Sequence, residues 1–308
     1  MTDHDYMKQP PAYTLPKNGI VSHLPTSWIP YAQLMRLHKL TGFSILYCPC
    51  PVGVVYAAAL SPRKLPASVL LHCVALLTAS SFILRSVGCQ VARCQQRPIA
   101  RGAVTTTQGC LLATALLLIK WGLLFSLPLE ALVNAGITML LAGIYPFCKR
   151  FTNYPEVVLN LVLGWPIRMA PHSLRIRHTC DRCLFTAIAI LNVINDMIYA
   201  SQDVEDDIKV GIKSMAVRFR DSVKLTLSIL SLGMVALLAG AGVSGDTGPM
   251  YFVLAVGGIF IRLSGIIASM DLKYPSICVN SASRVYVAVN CSMAYGLLWE
   301  YFEGYRGP

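Results

Sequence analysis

The chain has 308 residues, of which 55% are hydrophobic and only 13% charged. A water-soluble domain of this length needs more polar surface, so the composition points to an all-α integral membrane protein. Its formal net charge of +11 is not a nucleic-acid footprint, because the basic residues sit mostly in loops between apolar runs.

Residues 1–27 form a polar, proline-bearing arm with Asp3 and Asp5 near its start. An arginine-rich, acid-poor transit peptide would look different, so mitochondrial import is not expected. Apolar runs follow near residues 42–60, 66–84, 108–126, 128–146, 155–170, 183–201, 223–243, 250–269 and 285–301. Each is close to the ~20 residues that cross a bilayer as a helix, which predicts about nine spans. Pro155, Gly164 and Pro166 interrupt the fifth and make it the weakest. The expected organisation is the arm, a transmembrane domain over residues 28–303, and a tail of residues 304–308.

Basic residues are denser on one set of loops, which includes Arg36, Lys149, Arg150, Lys209 and Lys213. That asymmetry predicts that these loops face the cytosol in a multi-pass protein of the endoplasmic reticulum or another internal membrane. The loop holding Arg175, Arg177 and Arg182 runs against the trend. Of the cysteines, most lie in apolar runs, where cysteine acts as a small hydrophobe. Cys180 and Cys183 form one CxxC beside His178, without the second pair that a zinc site of that type needs. Asn290-Cys291-Ser292 fits a glycosylation sequon but falls inside an apolar run, so modification is not expected.

The chemistry concentrates between Asn195 and Ser214, in NDMIYASQDVEDDIKVGIKS, with Asp196, Asp203, Glu205, Asp206 and Asp207. If the preceding helix continues, Asp203 and Asp207 stand four apart and share one face, with Asp196 on a nearby one. Carboxylates gathered at the edge of a membrane repel one another unless a cation neutralises them. Mg²⁺ suits such a cluster, since it binds through one or two carboxylates together with substrate phosphates. Lys209 and Lys213 follow and could meet phosphate oxygens. A solvated acidic loop between two spans is the alternative, and charge pattern alone does not separate the two.

The pattern Asp196, Tyr199, Ala200, Gln202, Asp203, Asp206, Asp207, Lys209, Gly211, Lys213, Ser214 resembles the second aspartate-rich motif of the UbiA family of intramembrane prenyltransferases. Two other stretches carry the resemblance. Tyr145-Pro146-Phe147-Cys148-Lys149-Arg150-Phe151-Thr152-Asn153-Tyr154-Pro155 follows the family's Y-P-x-x-K-R-x-T-x-x-P, and Asp271–Cys278 is similar to a segment near the last span. Arg36, Leu37, Lys39 and Gly42 match part of a family pattern in the first helix, but His38 and Leu40 stand where Asp and Pro are usual. The resemblance implies a UbiA-type helical bundle around a central cavity. It implies that Asp203 and Asp207, assisted by Asp196, hold Mg²⁺ and carry catalysis. It further implies that Tyr145, Lys149, Arg150, Lys209 and Lys213 hold the diphosphate of a prenyl donor. Arg36 could reach a phosphate too, or serve only as a membrane anchor.

One landmark is missing. Members carry N-D-x-x-D-x-x-x-D between a Gly-Cys and R-P-I-A-x-G, and here Gly88-Cys89-Gln90 runs straight into Val91 and on to Arg97-Pro98-Ile99-Ala100-Arg101-Gly102. No acidic residue occurs from Ser86 to Arg101. Either the coding sequence was translated wrongly across a splice boundary, or the chain is catalytically impaired. The wording of the remaining motifs looks most like fungal meroterpenoid prenyltransferases, which implies transfer of a prenyl group, farnesyl foremost, to a polyketide-derived aromatic acid. Rival expectations are a 4-hydroxybenzoate polyprenyltransferase of ubiquinone synthesis and a non-catalytic lipid-binding relative.

Overall fold

The computed structural model describes residues 20–35, 37, 49–61, 65–88, 98–99, 102–174, 181–201, 204–211, 213–270 and 275–306. Among them all regular structure is helical. In chain order the helices are α1 (Ile29–Leu34), α2 (Pro49–Ala59), α3 (Ala67–Gly88), α4 (Thr106–Leu124), α5 (Leu129–Phe151), α6 (Pro155–Gly164) and α7 (Pro166–Ser173). They continue with α8 (Asp181–Ala200), α9 (Val204–Val210), α10 (Met215–Arg218), α11 (Val223–Ser244), α12 (Pro249–Ser269) and α13 (Pro275–Arg306).

Nine spans are not borne out. Among the described residues five helices are long and apolar enough to cross a membrane: α3, α4, α8, α11 with the turn before it, and α12. The run near 128–146 gives a shorter apolar stretch, Leu129–Tyr145, and the described part of the first run gives Pro49–Ala59. The run at 155–170 breaks at Trp165, as its prolines foretold. Pro166 has no N–H to donate back to Val162, so the helical ladder stops and α7 restarts with proline at its first position. The last run lies inside the 32-residue α13, which is not among the five.

Two compact units partition the chain, one from Met1–Phe43 with Ile83–Trp121 and the other from Ser44–Phe82 with Gly122–Pro308. In the described part of the smaller, Val21, Ile29 and Ala32 make a local apolar cluster. The larger unit is organised on α8, which packs against α6, α11 and α13. Of the five candidate spans α8 is the most enclosed, with 61% of its window buried against 17–33% for the others. Leu184, Ile188, Leu191, Ile194 and Ile198 recur at helical spacing and are all buried in that core. The other spans turn residues such as Leu118, Leu232 and Ile261 outward, the exposure expected where lipid is the neighbour.

Close helix approach is set at Gly242 on α11. A methyl group there would come within 2.6 Å of the Tyr251 ring on α12, so only glycine admits that ring. Tyr251 is buried, and its hydroxyl donates to the carbonyl of Leu238 at 3.1 Å, so the ring is locked to α11 at both ends. Asn290 of the sequon is buried in the middle of α13 and donates its side-chain amide to the carbonyl of Tyr286, a position closed to a glycan. Cys183 is a free, half-buried thiol in the first turn of α8, near Gly240 of α11. Cys180 and His178 lie outside the described residues.

Candidate functional site at the acidic end of α8

The acidic stretch does not form one helix. α8 stops at Ala200, Ser201 makes a turn, and α9 begins at Val204. The premise of a continuous helix through Asp203 therefore fails. Asp196 and Asp207 sit on successive helices, both half-buried. Ser201 caps the break, its hydroxyl donating to the carbonyl of Met197 at 2.7 Å. Asp203 directly precedes α9 and lies outside the described residues, as do the side chains of Asp206 and Lys209.

Glycine chemistry ends α9. Gly211 has φ of +72°, a left-handed conformation that lets the chain leave the helix after one residue. Lys213 is exposed beyond it. Ser214 then caps α10, its hydroxyl oxygen accepting from the Val217 N–H at 3.2 Å, as a serine in extended backbone does at a helix start.

The partner stretch comes from the end of α5. Tyr145 is half-buried there, while Lys149 and Arg150 lie on its last turn with side chains outside the described residues. Thr152 is extended and ends α5, and Pro155 opens α6. Glu156, in the first turn of α6, is 7% exposed, and its Oε1 accepts from the N–H of Met215, the first residue of α10, at 3.3 Å. Tyr154 meets Phe219 just past α10, ring centres 6.5 Å apart. These two contacts tie the segment that follows Lys149 and Arg150 to the segment that follows Lys213. The segments that follow two of the three basic stretches expected from the sequence are thereby joined, by one side-chain-to-backbone hydrogen bond and one ring contact. Arg36, the third, lies outside the described residues.

Glu156 was not expected from the sequence, although a lone acid inside an apolar run signals function. Three more polar residues escaped notice in the same way. Asn160 on α6 and Asn192 and Asn195 on α8 are all buried. Among the described residues no group of three His, Cys, Asp or Glu side chains could hold a metal ion. The acids of the 196–207 stretch nonetheless fit a hard divalent cation, since each offers only oxygen donors.

Comparison with known proteins agrees with the geometry. The family model described as the UbiA prenyltransferase family matches residues 46–288. The prenyltransferase adrG of Penicillium roqueforti is 40% identical over 261 residues, covering 80% of this chain and 82% of that protein. The DMOA farnesyltransferase nvfB of Aspergillus novofumigatus is 38% identical over 260 residues, covering 79% and 82%. Among solved structures, a UbiA homologue from Archaeoglobus fulgidus bound to DMAPP and Mg²⁺ superposes with a TM-score of 0.63 at 12% identity, covering 87% of this chain and 99% of that one. That likeness is one of fold.

Proposed function

Because this chain belongs to the UbiA prenyltransferase family, we propose that it transfers a farnesyl group from its diphosphate to a polyketide-derived aromatic acid. The observation that carries the reading is the clasp between Glu156 and Met215, which ties the stretch after Lys149 and Arg150 to the lysine end of the acidic stretch. Relatives named as a farnesyltransferase and as fungal prenyltransferases support the donor and the acceptor class. The denser basic loops support an active site on the cytosolic side of an internal membrane.

In this reading Asp203 and Asp207, with Asp196, hold Mg²⁺, as its presence with a prenyl diphosphate in an archaeal homologue supports. The ion would supply positive charge against the departing diphosphate. Lys149, Arg150, Lys209 and Lys213 bind the phosphate oxygens, and the Tyr145 hydroxyl can donate to one of them. Arg36 adds a further cation from the N-terminal part of the sequence, with membrane anchoring as its alternative role. As the bond from the allylic carbon to the diphosphate oxygen breaks, that carbon gains positive charge, and apolar helix faces keep water from it. The electron-rich ring carbon of the acceptor then bonds to it, and the ring proton leaves.

Titration of farnesyl diphosphate with Mg²⁺ tests the donor half. Asp203→Asn should abolish Mg²⁺-dependent binding, and unchanged binding would reduce the acidic stretch to a solvated loop.

A further inference from the structure

Three asparagines lie inside the larger unit with unmade hydrogen bonds. Asn160, Asn192 and Asn195 are 1%, 2% and 2% exposed. Neither amide atom of any of them has a hydrogen-bond partner among the described residues. Lipid supplies no partner at this depth, and a buried amide left unbonded is costly. Asparagines that serve to hold helices together bond across the helix pair, and these do not.

Their positions converge. α6 packs antiparallel on α8: a methyl group on Gly164 would lie 3.7 Å from the Ala189 nitrogen, while Glu156 at the other end of α6 reaches Met215 beyond the end of α8. One turn back from Gly164 is Asn160, and one turn on from Ala189 is Val193, flanked by Asn192. Asn160 and Asn192 thus share a level of the pair, with Asn195 one turn further along α8. Asp196 follows Asn192 by four residues, or about 6 Å along the helix axis. The amides sit just beneath the acidic stretch, among apolar neighbours such as Leu191 and Ile194.

We propose that these three asparagines form the polar end of the acceptor subsite and take the phenolic hydroxyls of a hydroxylated aromatic acid. The inference rests on the function proposed above and names the groups that choose its acceptor. Each amide offers a donor and an acceptor, and a phenol needs both. A diphosphate has only acceptor oxygens at neutral pH, so the asparagine carbonyls would face its lone pairs. An aromatic ring between the hydroxyls matches the apolar surroundings. The depth is also right, since the ring must approach the allylic carbon directly below the phosphates.

The test is binding of orsellinic acid and of 2-methylbenzoic acid, its analogue lacking both hydroxyls, to the full chain in lipid nanodiscs by calorimetry. The wild type should prefer orsellinic acid at least about tenfold, because a site built to bond hydroxyls rejects ligands without them. Asn160→Leu and Asn192→Leu should each cut that preference below about threefold, with farnesyl diphosphate binding in Mg²⁺ unchanged. Equal binding of the two acids by the wild type overturns the proposal, and that comparison needs no variant to fold. Variants that keep the full preference overturn it as well and leave the asparagines as helix-packing residues. Failure of the wild type to bind farnesyl diphosphate would sink the donor reading instead, and that is a separate titration.

Discussion

Through one carboxylate oxygen Glu156 ties the segment after Arg150 to the segment after Lys213. A hydrogen bond from a backbone N–H to a charged acceptor contributes about 1.5–3 kcal/mol, and here the carboxylate also fixes where α10 begins, two residues after Lys213. Glu156→Gln keeps a carbonyl oxygen in place and should leave donor affinity within about threefold, whereas Glu156→Ala should weaken farnesyl diphosphate binding about tenfold or more. Affinity for the aromatic acid should stay level in both, as measured by separate titrations. Equal losses for donor and acceptor would point to general loosening of the helices. At this scale the sequence was half legible. Aspartates and lysines at a span end announce themselves by charge, but Glu156 and the three asparagines are single polar letters in apolar runs. Only their burial distinguishes them.

The helices followed from hydropathy because every backbone group in a bilayer must bond within its own segment. Their ends did not follow. The break after Ala200 rests on Ser201 bonding back to Met197, and no glycine or proline before Gly211 marks a stop in the sequence. The split at Trp165 was foreshadowed by Pro166, whose missing N–H has a fixed consequence. Close packing was equally hidden, since a glycine in a span does not say which ring it admits. At Gly242 the ring is Tyr251, and Gly242→Val should cost about 1–3 kcal/mol by overpacking. Thermal unfolding in detergent should show it as a lowered midpoint. Gly233 on the same helix meets nothing within 4 Å, so Gly233→Ala should leave the midpoint at or slightly above wild type. A similar drop for both would mean that α11 tolerates no side chain anywhere, and that the Tyr251 contact is not special.

For the whole molecule the decisive quantity is charge. A prenyl diphosphate brings about three negative charges toward a medium of low dielectric, where uncompensated charge is very costly. In the proposed reading the stretch from Asp196 to Asp207, with Lys149, Lys209 and Lys213, places one cation and the phosphates. A second cation would need carboxylates from the segment between α3 and α4, and Ser86 to Arg101 has none. The charged residues there are arginines instead, Arg93, Arg97 and Arg101, a residue type that pairs with phosphate oxygens without a metal. Holding is not transfer, because an arginine that binds ground state and transition state equally does not speed the reaction. The chain as written should therefore bind farnesyl diphosphate yet turn over far more slowly than an intact relative. Inserting an N-D-x-x-D-x-x-x-D segment after Cys89 should raise transfer of radiolabelled farnesyl to orsellinic acid in membranes by about a hundredfold or more, the scale of losing one preorganised electrostatic contact. Donor affinity should change far less than turnover. If the uninserted chain already transfers at the rate of an intact relative, one acidic stretch suffices, and the arginines between α3 and α4 stand in for the second cation.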